Sequence, residues 1–186
     1  MMKKLLLTLL VSIFCITTYA QNEISEPEFA GEVLVVDANG GTKKLEKQTV
    51  QLRTRTNAGA MLVGIGKRKT KITIEGSSAK TQLNGADKIC FIIKAIDNRT
   101  DPMSIVSIFR LESTKDKRMA EMASMSTFGS VKTNKLEYLP FDAKKFGESS
   151  YYVQLTEQPV GEYGIIISNP NNVDEKQIVV STFGIQ

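Results

Sequence analysis

Short apolar runs, broken every few residues by turn-forming side chains, constrain the fold of this chain more than any other feature. Lys71-Ile72-Thr73-Ile74-Glu75 alternates strictly, which places both isoleucines on one face of an extended strand. Comparable runs recur at residues 31–37, 50–55, 61–65, 88–96, 104–111, 136–141, 151–155, 164–167 and 177–183. Asn39-Gly40 and Asn84-Gly85 punctuate them as turns, because both residue types tolerate positive φ. Residues 118–125 contain Ala, Met and Glu, which favour helix, but their neighbours argue for a strand. Residues 142–146 read as one helical turn. The pattern predicts an all-β fold of about ten strands with little helix. The expected architecture is an antiparallel β-sandwich of immunoglobulin-like or Greek-key type, with a barrel as the alternative.

One segment sharpens the sandwich expectation. Pro159-Val160-Gly161-Glu162-Tyr163 sets a tyrosine at the start of an apolar strand, directly after a Pro/Gly turn. A tyrosine so placed bonds its hydroxyl back to the upstream backbone in Greek-key sandwiches, a tyrosine corner. Gly161-Glu162-Tyr163, the closing Phe183-Gly184-Ile185, Leu45-Glu46-Lys47 and Ile74-Glu75-Gly76-Ser77-Ser78-Ala79 together resemble a family of secreted domains from Bacteroidetes-type bacteria. The resemblance covers most of the chain beyond residue 20. It implies an exported β-sandwich and carries no activity with it.

The N-terminus reads as a secretory leader. Lys3 and Lys4 precede an apolar run over 5–16, and Thr18 and Ala20 place small residues at the −3 and −1 positions before Gln21. The run is shorter than the ~20 residues a membrane-spanning helix needs. Residues 1–20 are therefore expected to be cleaved, 21–30 to form a flexible polar lead-in, and 31–186 to form a single β-sandwich domain. Cleavage removes Cys15 and leaves Cys90 as the lone cysteine, so the mature chain forms no internal disulfide. Removing Lys3 and Lys4 takes the 24 basic residues to 22 against 20 acidic ones, close to neutral. That balance, with export, argues against a nucleic-acid partner. The expected location is the periplasm, the outer membrane surface or the extracellular space, with no transmembrane segment in the mature chain.

The chain has no histidine, the usual general base near neutral pH and the commonest metal ligand. Ser-His-Asp and Cys-His chemistry and ordinary zinc or copper sites are thereby excluded. No cofactor or metal is expected. Cys90 lies in the apolar run Ile89-Cys90-Phe91-Ile92-Ile93 and reads as a buried, inert thiol. Ser77-Ser78-Ala79-Lys80 has Ser-x-x-Lys spacing but lacks the helix and the companion motifs that such acyl-transferases need. Carboxylates alone can hydrolyse glycosides, and Asp97, Asp101, Asp142, Glu148 and Glu162 are the candidates, though turns collect acids anyway. The oxygen-rich segments 37–40 and 169–175 lack the spacing of a calcium loop. Asn98-Arg99-Thr100 fits the glycosylation acceptor pattern.

The residues left for recognition are the basic cluster Lys67, Arg68 and Lys69, and the pair Tyr151 and Tyr152. The cluster suits acidic glycans, phosphates or an acidic partner, or else it is a solvated entry to an edge strand. Adjacent strand residues face opposite ways, so one tyrosine is expected in the core and one outside. The functional expectation is a non-enzymatic binding module of the cell envelope or extracellular space, with a protein partner. A glycan or small-ligand module is the alternative, and a carboxylate-only hydrolase is third.

Overall fold

The computed structural model describes residues 24–51, 53–56, 68–125, 131–133, 136–168 and 177–186. The strand expected at 61–65, Lys67, and the 169–175 segment lie outside them. Fourteen strands are described in chain order. They are β1 (Val33–Val36), β2 (Thr42–Lys44), β3 (Glu46–Gln51), β4 (Arg53–Thr56), β5 (Arg68–Glu75), β6 (Gln82–Leu83) and β7 (Cys90–Lys94). After the short helix α1 (Pro102–Ile105) come β8 (Val106–Ser113), β9 (Lys117–Met125), β10 (Val131–Thr133), β11 (Phe141–Phe146), β12 (Ser150–Leu155), β13 (Gly161–Ile167) and β14 (Gln177–Ile185).

Two sheets divide these strands. The first is open, in the order β11-β12-β7-β1-β2. The second runs β3-β14-β13-β8-β9-β5-β4, with β10 added to β9 and β6 lying parallel to β14. Its two outermost strands, β3 and β4, are separated by one position of the chain. The second sheet therefore wraps round until it nearly closes as a barrel. The all-β sandwich expected from sequence is present, and the barrel alternative describes one of its halves.

The two halves are stitched at Leu45. β2 belongs to the open sheet and β3 to the barrel, so the chain changes sheet across this one residue. Leu45 is buried, and its N–H donates to Val33 O at 3.0 Å. Such corners are how orthogonal and barrel-like sandwiches pass a strand between layers.

Strand alternation supplies two cores. One lies between the sheets and includes Val35, Phe91, Ile93, Ile108, Tyr163, Ile165 and Phe183. The other fills the barrel and includes Val50, Ile72, Ile74, Phe109, Leu111, Ala120 and Val180. β8 shows why its sequence reads as a nearly continuous apolar run. Val106 and Ile108 face the open sheet, while Phe109 and Leu111 face the barrel interior. A wall shared by two cores is apolar on both faces, which erases the usual alternation. Each such side chain contributes about 1.5–3 kcal/mol on full burial.

Phe91, Phe183 and Tyr163 form an aromatic column in the inter-sheet core. Ring centroids of Phe91 and Phe183 are 5.0 Å apart, and those of Tyr163 and Phe183 are 5.4 Å apart. The Tyr163 hydroxyl donates to Pro159 O at 2.7 Å, which is the expected tyrosine corner.

Three local expectations are corrected. Residues 136–140 do not form a strand; only Tyr138 makes an isolated bridge, to Phe109, before β11 begins at Phe141. Residues 142–146 are not a helical turn. They belong to β11, which pairs with β12 along all six residues around a turn where Gly147 adopts φ 57°. Residues 104–105 are helical rather than extended. Asp101 caps α1 by accepting from Met103 N at 2.9 Å, and Pro102 enters at its first turn. That Asp-Pro start is a recognisable helix signal. Residues 118–125 are strand, as expected, because pairing with β5 and β8 outweighs their local helix preference.

Candidate functional site

The densest polar cluster sits inside one end of the barrel. Alternation puts it there: Arg118 shares a strand face with Ala120 and Met122, and Glu162 with Gly164 and Ile166. Glu46 lies in phase with Val50, and Thr182 with Val180. Four polar side chains thus occupy interior positions on four strands. Arg118 is only 1% exposed. Its guanidinium reaches Glu46 Oε1 at 3.3 Å and Glu162 Oε2 at 3.4 Å, and donates to Gly76 O at 3.1 Å and Glu75 O at 3.3 Å.

The carboxylates are saturated from the other side. Thr182 Oγ1 donates to Glu46 at 2.6 Å, Ala79 N to Glu162 at 2.7 Å, and Gln82 Nε2 to Glu162 at 3.0 Å. Burial pushes the Glu46 carboxyl up. The Thr182 hydroxyl, the Lys80 N–H and Arg118 outweigh that and hold it below the usual carboxylate value. Among the described residues no buried side-chain nitrogen or oxygen of this cluster is left without a partner, so the cluster is a lock that closes the barrel end and holds residues 76–83 across it. Residues 45–47, 74–79, 161–163 and 183–185 meet at this lock: Glu46, Glu162, Gly76 and Ala79 bond within it, and Gln82 packs against Gly184.

The other expected positions distribute as follows. Tyr151 is buried in the inter-sheet core, 1% exposed, and its hydroxyl donates to Thr100 O. Tyr152 is on the opposite face, half-buried, with Lys144 Nζ 5.0 Å from its ring centroid. The bond to the Cys90 thiol, then burial, pushes the Tyr152 phenol up to about 12. Cys90 itself is buried and free. Arg68 and Lys69 lie on β5, where Arg68 pairs with Thr56 and Met125, and Lys69 with Arg55 and Ser124. β5 is thus paired on both sides and is not an edge strand. Both edges of the open sheet carry lysines, Lys43 and Lys44 on β2, and Lys144 and Lys145 on β11. Lysines there discourage pairing with other chains.

The turn carboxylates have local work. Asp37 Oδ1 accepts from Asn39 N and Gly41 N, at 2.9 and 2.7 Å, which shapes the β1–β2 hairpin. Asp97 accepts from Arg99 N at 2.9 Å. Glu162 is drawn into the Arg118 lock beside Glu46, a residue that sequence reading did not single out as an acid. Ser77 to Lys80 follow a bend at Gly76, φ 85°, and form no helix. The Asn98 amide donates to Gly147 O at 3.1 Å and is engaged within the protein. Among the described residues, no group of three or more His, Cys, Asp or Glu is placed to hold a metal ion.

One end of the sandwich has a different character. Residues 24–31, the loop 95–105 and the turn 147–149 meet there. Gly31 N donates to Lys94 O at 2.8 Å and Ala95 N to Ser149 O at 2.9 Å. Glu26 accepts from Ser149 N at 3.0 Å and from Lys94 Nζ at 2.9 Å, so part of the expected lead-in is tied to the domain. Phe29 (58% exposed), Ile96 (49%) and Met103 (61%) project from this end. Ile96 was expected to end the 88–96 strand, but β7 stops at Lys94 and leaves it exposed in the loop. Phe29 and Met103 carry no pattern, because single apolar residues in loops have none.

The fold and these surfaces define a class: an antiparallel all-β protein in which an open sheet packs on the wall of a nearly closed barrel, with the barrel end locked by a buried arginine. No protein-family model, curated protein or solved structure matches the chain. No helix among the described residues is long and apolar enough to cross a membrane.

Proposed function

We propose that this chain is an exported, non-enzymatic interaction module of the cell envelope or extracellular space that binds a protein. The observation that carries the reading is the joint exposure of Phe29, on segment 24–31, and of Ile96 and Met103, on loop 95–105, at the end of the sandwich where both segments bond to the turn 147–149. Exposed apolar side chains grouped on loops of a rigid scaffold are characteristic of recognition surfaces. The leader-like N-terminus supports export, and the lack of histidine supports a role without acid–base catalysis. A glycan site on Tyr152 has less support, since Lys144 already stands over that ring.

Affinity capture tests the reading. Tagged protein spanning 21–186 is exposed to the source organism's envelope and culture-fluid fractions. Reproducible, saturable retention of a protein is expected. Retention of none, with the bait folded, overturns it.

A further inference from the structure

We infer, building on the binding-module reading, that the end formed by residues 24–31, 95–105 and 147–149 is the docking surface, and that its partner is a protein presenting an apolar centre framed by Lys and Arg. The apolar centre on this side is Phe29, Ile96 and Met103. Each has an acid within two residues: Glu28, Asp97 and Asp101. Glu148 in the adjoining turn adds a fourth exposed carboxylate, and Arg99 is the only basic residue in the three segments. An apolar centre inside a charged rim is the ordinary anatomy of a protein interface. Lys94 beside the loop is paired with Glu26, so four exposed acids stand against Arg99, and a rim with that acidic excess favours a partner of opposite charge and speeds its approach.

The platform is preorganised. Its segments are joined by the Gly31–Lys94 and Ala95–Ser149 backbone bonds, the Glu26–Lys94 ion pair and the Tyr151 hydroxyl on Thr100 O. Little ordering entropy is then lost on binding. The same acidic rim disfavours an anionic lipid surface, which attracts basic rather than acidic segments.

The test places a photo-crosslinking amino acid singly at Ile96, Met103 or Val160 of the full chain in its own host. Val160 is exposed and precedes the end of β13 that pairs with Leu111, the far end of β8 from α1. Adducts to a protein are expected at 96 and 103. The crosslinked peptide is expected to carry Lys or Arg around apolar residues. Made synthetically, that peptide should bind the purified protein, lose at least tenfold in affinity with Met103→Ser, and weaken with added salt. Met103 is exposed, so the substitution should leave the melting temperature unchanged.

Protein adducts confined to 160 overturn this surface while leaving the binding-module reading intact. Lipid adducts at 96 and 103, or a crosslinked peptide that is acidic or uncharged, overturn the partner chemistry. Adducts at none of the three positions overturn both the inference and the reading beneath it.

Discussion

The Tyr163 hydroxyl donates to the carbonyl oxygen of Pro159 at 2.7 Å while its ring stacks on Phe183. The bond pins the turn before β13, and the ring belongs to the inter-sheet core. Tyr163→Phe keeps the ring and loses the bond. It should cost about 1 kcal/mol. Urea denaturation should show a lower midpoint with an unchanged slope. Tyr163→Ala also removes the ring and should cost about 3–5 kcal/mol.

Arg118 balances two carboxylates that are themselves largely buried, Glu46 and Glu162, with side chains 13% and 14% exposed. Arg118→Met leaves both acids without their counter-charge. Breaking a buried pair in this way costs about 3–5 kcal/mol. The triple variant R118M/E46Q/E162Q removes all three charges and should recover part of that loss. A triple variant less stable than R118M in urea denaturation would show that the penalty is not uncompensated charge.

Acid should loosen the same lock. Glu46 has a folded-state pKa below its ordinary value of 4.5. Its contribution to stability is therefore complete above that value and is lost as pH falls through the folded-state pKa. Glu26, raised by burial but lowered more by Lys94 and the Ser149 N–H, has the same sign. Stability measured against pH should be level down to about pH 5 and then decline. Glu46→Gln should flatten the decline, because a glutamine at this position does not titrate.

Gly164 faces the barrel interior where Phe109 fills the space. A Cβ at this position would lie 2.9 Å from both Phe109 Cζ and Val180 Cγ1. Gly164→Ala should destabilise by about 1–3 kcal/mol through overpacking. Phe109→Leu, added to it, should restore part of the loss, and thermal unfolding of the single and double variants reads the coupling.

The strands were legible because alternation survives wherever one face is buried and the other is wet. Lys71 to Glu75 is the clearest case, and its two isoleucines do fill the barrel. The tyrosine corner was legible because Pro, Gly and Tyr each impose a local geometry. The β11 strand was misread since its pairing partner, not its own residues, holds it extended. β2, β6 and β10 are two or three residues long and have no pattern of their own.

The sequence alone determined the class of fold, the buried state of Cys90 and the absence of histidine chemistry, since each follows from residue type and spacing. Tertiary structure decided the rest. It wrapped the second sheet into a barrel by giving β3 and β4 different partners on either side of one position. It brought Glu46, Arg118, Glu162 and Thr182 from four distant strands to one barrel end. It also placed Phe29, Ile96 and Met103 at one end of the sandwich. Strand pairing joins residues far apart in the chain, and a one-dimensional pattern records which face a residue occupies but not which strand lies beside it.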